Sequence, residues 1–312
     1  MSRLCRIGLA LGGGGARGLA HVGVLCALER EGIRIDLLTG TSMGALVASM
    51  YALLPKSDYV VQRFRRYFES KEFKRTNPEF LHLSNHEGAP KYEGIFQRFA
   101  SFIKKGIFYS QSLTKRAPIS EENFSQNINF LLEDIEIQQT QIPLGIIALD
   151  LKSAQEVVIR EGSLRTAAKA SCAIPGILPP VKIGERELVD GGWIDRVPVR
   201  PAREMGADLV IAVDVAEVLD ETEEYNTGLG IVLRTNDISR CALSRMQLNE
   251  ADVVLSPDVS EIHWSDFGHL DDCLRAGEQA TREKLDEIKS LVKKKKLKNI
   301  LRVLRGRLPS LR

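Results

Sequence analysis

Cysteine is scarce in this sequence, and its placement argues against two kinds of site. The five cysteines, Cys5, Cys26, Cys172, Cys241 and Cys273, lie far apart, and no two of them form a C-x-x-C pair. Disulfide frameworks use an even number of cysteines, and structural zinc sites use closely spaced pairs. We therefore expect reduced thiols and no metal site, as is typical of a cytoplasmic protein.

Long apolar runs are also absent. The longest stretch, residues 45–54, is far shorter than the roughly 20 residues that a membrane-spanning helix needs. The apolar run at residues 7–11 ends in glycines and is too short for the core of a signal peptide. These absences predict a soluble cytoplasmic protein, whose contact with the inner membrane surface would be peripheral.

Charge is balanced in total but not along the chain. The sequence has 43 Lys and Arg residues against 41 Asp and Glu residues, and residues 293–312 hold nine of the basic residues and no acidic one. The preceding 292 residues therefore have 34 basic and 41 acidic side chains. The chain combines a mildly acidic body with a strongly basic tail.

Apolar residues in the tail fall on one face of a predicted helix: Leu297, Ile300, Leu301, Leu304 and Leu308. A basic helix with one apolar face is typical of a helix that lies on an anionic bilayer surface. The acidic body offers an alternative, in which the same residues pack on the protein itself. Both interpretations stay open. Nucleic-acid binding is not expected, because neither an aromatic pattern nor a suitable fold accompanies the charges.

Alternating strand and helix patterns predict an α/β fold. Two strand-loop-helix units occupy the first 55 residues, with strands at 6–11 and 35–39 and helices at 16–31 and 42–54. Further patterns predict strands at 144–151, 156–160, 181–183, 187–189, 207–215 and 252–255, and helices at 164–172 and 270–292. We expect a mainly parallel sheet covered by helices, in a single domain over residues 1–292.

Residues 56–141 interrupt this alternation with a mostly helix-like, aromatic-rich segment. Ten of the eleven phenylalanines lie between Phe64 and Phe130. We interpret the segment as a helical insertion within the domain. Its rings either pack the insertion onto the sheet or line an apolar pocket.

A glycine-rich loop follows the first strand, at residues 12–18. Gly13, Gly15 and Gly18 form a G-x-G-x-x-G pattern before a helix, and such a loop holds negative charge with its backbone N–H groups. It fits either a dinucleotide phosphate or an oxyanion. A dinucleotide site needs an acid at the end of the second strand, whereas Asp36 lies at the start of that strand. A P-loop needs a Lys-Ser or Lys-Thr pair after the glycines, and none follows them. We therefore expect no nucleotide cofactor.

The second strand runs into Gly40-Thr41-Ser42-Met43-Gly44, a G-x-S-x-G pattern between strand and helix. This context is typical of a nucleophile elbow, in which the serine occupies a strained turn. The strand and the helix cross closely there, so Gly40 and Gly44 must be small. Met43 would add a backbone N–H at the start of the helix.

A serine nucleophile needs a base, and the sequence offers two kinds. Asp190-Gly191-Gly192 follows a predicted strand, and its glycines allow a tight turn that presents the carboxylate. The five histidines are His21, His82, His86, His263 and His269. An ordinary α/β-hydrolase places its histidine late in the chain, as at His269. The local patterns do not decide between Asp190 and His269.

Taken together, the three motifs resemble the patatin-like phospholipase family, in particular the bacterial branch related to neuropathy target esterase. Matching runs also occur at residues 18–25, 173–180 and 190–199, and the resemblance covers roughly residues 5–55 and 143–260. It implies a three-layer α/β/α sandwich. It also implies a Ser42–Asp190 dyad without a catalytic histidine, metal or other cofactor.

The resemblance assigns roles to the loop residues. The N–H groups of Gly13, Gly14 and Gly15 would stabilise the tetrahedral oxyanion, and Arg17 would orient the loop or bind lipid phosphate. The implied activity is hydrolysis of an acyl lipid, as by a phospholipase or lysophospholipase, through an acyl-Ser42 intermediate. The alternative is a lipid-binding or regulatory protein that uses the same fold with little hydrolysis.

Overall fold

The protein is built around one eight-stranded mixed sheet. The computed structural model describes residues 4–73, 120–215 and 227–307. The strands are β1 (Ile7–Leu11), β2 (Leu37–Thr41), β3 (Leu144–Asp150), β4 (Gln155–Ile159), β5 (Val181–Ile183), β6 (Arg186–Asp190), β7 (Leu209–Val213) and β8 (Val253–Leu255). Their order is β5-β6-β3-β2-β1-β7-β8, with β4 also paired to β3. Along the sheet from β3 through β2, β1 and β7 to β8, each strand runs parallel to its neighbour. This confirms the predicted mainly parallel sheet.

Helices cover both faces of the sheet. They are α1 (Ala20–Arg30), α2 (Met43–Leu53), α3 (Ser57–Glu69), α4 (Glu121–Leu131), α5 (Leu164–Cys172), α6 (Val199–Glu204), α7 (Gly228–Leu248), α8 (Leu270–Glu283) and α9 (Leu285–Arg307). The larger core joins one face to α1, α2, α5 and α8, and a smaller core joins the other face to α6. Serine or threonine side chains cap α4, α5 and α7 by accepting a backbone N–H.

The ends of β2 and β6 meet along one edge of β3. β2 pairs with β3 up to Thr41, which lies opposite Ile147, and β6 ends at Asp190, opposite Ala148. β4 pairs with β3 over residues 146–150 and so occupies the other edge. Because Ile147 and Ala148 are consecutive, the residue after β2 is a neighbour of the last residue of β6.

Helices α1 and α8 cross at two glycines. A Cβ atom on Gly23 would lie 2.1 Å from the Leu274 carbonyl oxygen, and one on Gly277 would lie 2.0 Å from the Ala20 carbonyl oxygen. Any side chain at either position would therefore separate the two helices. The contact fixes α8 against the helix that follows the glycine loop.

Several elements differ from the sequence predictions. The second strand begins at Leu37 instead of Ile35, because the Asp36 carboxylate accepts the Ile7 N–H and keeps this residue outside the strand. The helix predicted over 270–292 is two helices, because Lys284 has non-helical backbone angles, and Ile288 beyond it reaches the core. Helix α7 was not predicted. Its apolar side chains face solvent instead of forming the usual buried stripe: Ile231, Val232, Ile238, Leu243 and Met246.

The described part of the aromatic insertion packs its rings together. Phe64 is buried, and Tyr67 lies 5.1 Å from Phe73 and 5.6 Å from Phe130 between ring centroids. Phe68 also approaches Phe267, outside the insertion, at 6.2 Å. These rings pack as the first of the two interpretations predicted. The remaining aromatic residues of the insertion lie outside the described residues.

The first part of the basic tail forms the second half of helix α9, which contacts the sheet at the strand ends opposite Ser42. The Lys295 ammonium donates to the Asp208 carbonyl at 2.7 Å and pairs with the Asp252 carboxylate at 3.2 Å. Asp208 and Asp252 precede β7 and β8, whereas Ser42 follows the end of β2. Leu297 and Leu301 are exposed, and the side chains of Leu304 and Leu308 lie outside the described residues. Within the described ranges, no helix has both the length and the apolarity of a membrane span.

Candidate active site

Ser42 occupies a strained turn between β2 and α2. Its φ of 54° and ψ of −123° lie in a region that non-glycine residues rarely adopt. A Cβ on Gly44 would lie 2.2 Å from the Leu11 carbonyl oxygen, and one on Gly40 would lie 2.6 Å from the Gly44 carbonyl oxygen. Neither flanking position therefore has room for a side chain. The turn has the geometry of a nucleophile elbow.

Two side-chain hydrogen bonds hold this turn in place. The Ser42 N–H donates to the Ser171 hydroxyl at 2.9 Å, and the Thr41 hydroxyl donates to the Asp195 carbonyl at 2.9 Å. Ser171 is fully buried at the end of α5. Sequence reasoning missed Ser171, because no local pattern connects a serine in α5 to a strand more than 120 residues earlier.

Asp190 is brought to Ser42 by the junction of β2 and β6. The Asp190 carboxylate accepts the Gly192 N–H at 2.7 Å, and the Ser42 hydroxyl lies close enough to this carboxylate to lower its pKa. The exposed fractions are 4% for Asp190 and 9% for Ser42. Gly191 packs on β3, where a Cβ would lie 2.7 Å from the Ile147 carbonyl oxygen. A buried serine and a buried carboxylate therefore face each other.

Burial is the main cause of the pKa shifts of Asp190 and of the neighbouring Cys172. It raises the pKa of Asp190, although hydrogen bonds from Gly192 and Ser42 and the charges of two arginines act in the opposite direction. Burial and the charge of Asp190 also raise the pKa of Cys172 well above its ordinary value, so this neighbour of Ser42 stays a neutral thiol. The carboxylate is thus a stronger base than an exposed aspartate.

The glycine loop lies against Ser42 and is fixed by backbone hydrogen bonds. A Cβ on Gly13 would lie 3.4 Å from the Ser42 Cβ. The Gly12 N–H donates to Val213 and the Gly13 N–H to Arg196, both at 3.0 Å. Among the described residues, no backbone carbonyl accepts the N–H of Gly14, Gly15 or Met43. The free donors of this region are therefore Gly14, Gly15 and Met43, while the Gly13 N–H is occupied.

Two buried side chains support the loop from below. Arg17 donates from Nε to the Ile262 carbonyl at 2.7 Å and has an exposed fraction of only 2%. The Nε2 atom of His21 lies 2.7 Å from the Gly12 carbonyl oxygen, and burial lowers the pKa of His21 to about 4. A Cβ on Gly18 would lie 2.5 Å from the Met43 side chain. The Nε contact ties Arg17 of the glycine loop to Ile262.

The late histidines have other partners. His269 lies between the carboxylates of Asp272, at 3.0 Å from Nδ1, and Asp266, at 3.3 Å from Nε2. The Nδ1 atom of His263 lies 2.8 Å from the Ser265 hydroxyl. His82 and His86 lie outside the described residues. Of the candidate bases, the structure thus brings Asp190, and not His269, to the Ser42 hydroxyl.

Two arginines that sequence reasoning missed border the pair. Arg196 donates from Nε to the Gly13 carbonyl at 3.4 Å, and Arg240 donates from Nε to the Gly192 carbonyl at 3.3 Å. The Arg240 guanidinium also stacks over the Trp193 ring at 4.2 Å. In the parts of the chain that the structure describes, no group of three or more His, Cys, Asp or Glu side chains could bind a metal ion.

Comparison with known proteins supplies the family. The profile of the patatin-like phospholipases matches residues 9–203, which contain the glycine loop, Ser42 and Asp190. The chain belongs to the patatin-like phospholipase family. The family resemblance inferred from the three motifs is confirmed.

Curated relatives share this region as part of much longer chains. The patatin-like phospholipase domain-containing protein ZK370.4 of Caenorhabditis elegans is 34% identical over 73% of this chain and 15% of its own length. Lysophospholipase nte1 of Emericella nidulans is 27% identical over 92% of this chain and 19% of its own length. The chain therefore spans less than a fifth of these relatives.

A solved structure supports the fold. Human GIVD cytosolic phospholipase A2 superposes with a TM-score of 0.53 at 11% identity, covering 96% of this chain and 62% of the human chain. At this identity the likeness concerns the fold alone. The central sheet flanked by helices is thus a patatin-type architecture.

Proposed function

We propose that this patatin-like phospholipase is a lipid acyl hydrolase with a Ser42–Asp190 dyad. The observation that carries the proposal is the buried Asp190 carboxylate beside the Ser42 hydroxyl, at an elbow where Ser42 has a φ of 54°. A strained serine beside a desolvated carboxylate suits nucleophilic catalysis. The names of the relatives, phospholipase and lysophospholipase, support an acyl lipid as the substrate.

The first half-reaction forms an acyl-enzyme. Asp190 accepts the hydroxyl proton while the Ser42 oxygen attacks the ester carbonyl carbon, which gives a tetrahedral oxyanion. When the intermediate collapses, the bond to the leaving alcohol breaks, and Asp190 returns the proton to that alcohol. In the second half-reaction, water attacks acyl-Ser42 and Asp190 accepts a proton from the water. When the bond between the acyl carbon and the Ser42 oxygen breaks, Asp190 returns the proton to that oxygen, and the free acid leaves.

The oxyanion would be held by backbone N–H groups. The unclaimed donors of Gly14, Gly15 and Met43 support this role, and the positive end of the α2 dipole adds to their effect. Gly13 contributes through the close approach of its backbone to Ser42, since its own N–H donates to Arg196. Substitution at Gly14, where a Cβ would lie 2.6 Å from Val215, should displace the loop.

The catalytic domain would be residues 1–292, and lipid surfaces would be its partners. Two exposed apolar stripes support peripheral contact: Leu297, Ile300 and Leu301 on α9, and the outward side chains of α7. Exposed apolar patches of this kind commonly mark interaction surfaces. The nine basic residues of 293–312 would add attraction to an anionic bilayer.

Hydrolysis of a short, water-soluble p-nitrophenyl ester tests the activity. The wild type should release p-nitrophenol, and Ser42→Ala should reduce the rate to background. Ser260→Ala removes an exposed hydroxyl that bonds to Asp258 and serves as the matched control. If Ser42→Ala keeps the wild-type rate, the dyad is wrong. If the wild type binds lipid vesicles yet turns over neither this ester nor a lysophospholipid, the lipid-binding alternative replaces the enzyme.

A further inference from the structure

Two half-buried guanidinium groups stand beside the dyad, each attached to one of the loops that form it. The Nε atom of Arg196 donates to the carbonyl of Gly13 in the glycine loop, and the Nε atom of Arg240 donates to the carbonyl of Gly192 in the turn after Asp190. The two arginines come from different elements, since Arg196 precedes α6 and Arg240 lies in the middle of α7. The charges of both arginines act on Asp190, and that of Arg196 acts on Arg240, so the two groups lie near each other and near the carboxylate.

Additional contacts fix the orientation of each group. The Gly13 N–H donates back to the Arg196 carbonyl at 3.0 Å, so this arginine and the glycine loop are joined in both directions. The Arg240 guanidinium stacks on Trp193, and its Nη1 atom pairs with Asp237 at 3.3 Å. Such anchoring removes much of the side-chain freedom that an arginine otherwise loses when it binds a ligand.

The two groups repel each other in a partly desolvated place. Burial, followed by the charge of Arg196, lowers the pKa of Arg240. The acids that face the pair are Asp190, whose own pKa burial raises, and Asp237, whose side chain is 48% exposed and so well screened. Holding like charges together costs free energy, which an anionic ligand would offset.

Hydrogen-bond donors of the pair are available next to Asp190. Among the described residues, the Nη atoms of Arg196 and the Nη2 atom of Arg240 donate no hydrogen bond. Arg240 Nη2 lies 3.8 Å, and Asp190 Oδ1 lies 3.1 Å, from the point where a Cβ on Gly192 would stand. The free Nη2 donor of Arg240 thus lies near the Asp190 carboxylate.

We propose that Arg196 and Arg240 form a phosphate-binding site beside the Ser42–Asp190 dyad. Planar guanidinium groups with several N–H donors match the oxygens of a phosphate group. Arg17, the residue of the glycine loop first expected to bind lipid phosphate, is buried, and its Nε atom donates to Ile262. The inference rests on the proposed function, and it implies that a phosphate-bearing acyl lipid is preferred over an uncharged acylglycerol.

Two short-chain substrates test the site without a lipid interface. One is a lysophospholipid with a phosphodiester head group, and the other is a monoacylglycerol with the same acyl chain, both below their micelle concentrations. Arg196→Gln and Arg240→Gln should each lower kcat/KM on the lysophospholipid by about 10- to 100-fold, as expected for lost hydrogen bonds to a charged group. Activity on the monoacylglycerol should fall by a clearly smaller factor, because that substrate loses only the contacts that the arginines make with the two loops and with Asp190.

Arg245→Gln is the matched control, because Arg245 is an exposed residue of α7, five positions after Arg240. It should leave both substrates unchanged. Inorganic phosphate distinguishes the two sources of the anion. If it inhibits monoacylglycerol hydrolysis by the wild type and not by Arg240→Gln, while the two substrates respond equally to the variants, then the site takes free phosphate instead of a lipid head group.

An equal loss on both substrates, with no inhibition by phosphate, would overturn the inference, because the arginines would then act only through Asp190. The experiment distinguishes failure of the dyad from failure of the arginine site. Monoacylglycerol hydrolysis by the wild type tests the dyad, whereas the difference between the two substrates tests the arginine pair. Circular dichroism and thermal unfolding of each variant identify those that do not fold.

Discussion

At the scale of single residues, Asp190 determines how activity should depend on pH. In the proposed dyad Asp190 can accept a proton only while its carboxylate is ionised, and burial places its pKa above the ordinary value of 3.8. We expect kcat/KM to fall as the pH drops through this raised pKa and to level off above it. A profile of kcat/KM against pH measures this acidic limb, which is the fall in kcat/KM at low pH.

Variants assign that limb to a residue. Asp190→Asn should cost about 10²- to 10⁴-fold in kcat, the usual contribution of a general base. His269→Ala should keep both the rate and the profile, because His269 binds Asp266 and Asp272. A large loss in His269→Ala with an active Asp190→Asn would favour a conventional triad.

Ser171 is expected to act on the reaction through the backbone of Ser42. Ser171→Ala removes the acceptor of the Ser42 N–H and leaves a buried donor unpaired, which costs about 1–3 kcal/mol. The strained turn should relax, so kcat should fall about tenfold with little change in KM. Ser49→Ala is the matched control, because the buried Ser49 hydroxyl has no described partner. An unchanged kcat alongside a lowered melting temperature would make Ser171 purely structural.

At the scale of elements, the crossing of α1 and α8 is a sensitive point of the fold. Gly277→Ala would put a methyl group 2.0 Å from the Ala20 carbonyl oxygen, and relief of this overlap should destabilise the protein by about 1–3 kcal/mol. Gly228→Ala, where a Cβ meets nothing within 4 Å, should be nearly neutral. Denaturant unfolding of both variants measures the difference, and equal stabilities would contradict the tight crossing.

Local patterns predicted those features that depend on neighbouring residues. The elbow was predictable because Gly40, Ser42 and Gly44 lie within five residues. The choice between Asp190 and His269 needed the family resemblance, because their distances from Ser42 depend on the order of strands in the sheet. Helix α7 and the two arginines were not predictable in this way. The outward apolar side chains of α7 give no buried stripe, and Arg196 meets Gly13 only in the folded chain.

At the scale of the whole molecule, the uneven charge bears on lipid docking. Deletion of residues 293–312 removes nine basic residues from a body with more acidic than basic residues. The deletion should lower co-sedimentation with anionic vesicles while leaving hydrolysis of a soluble ester unchanged, because the tail contacts the sheet through Lys295, at the strand ends opposite Ser42.

Neutral vesicles and outward-facing residues separate the contributions to docking. Binding to neutral vesicles should depend more on the exposed apolar side chains of α7, so Ile238→Glu should weaken it. Equal sedimentation of wild type and deletion with anionic vesicles would mean that the tail packs on the protein instead.

Covalent labelling tests the central claim most directly. A fluorophosphonate reacts with a serine only when that serine is an activated nucleophile, and mass spectrometry of proteolytic peptides identifies the modified residue. We predict a single adduct on Ser42 in the wild type and none in Ser42→Ala, with labelling strongly slowed in Asp190→Asn. An adduct on another residue, or undiminished labelling of Ser42→Ala, would contradict the Ser42–Asp190 dyad.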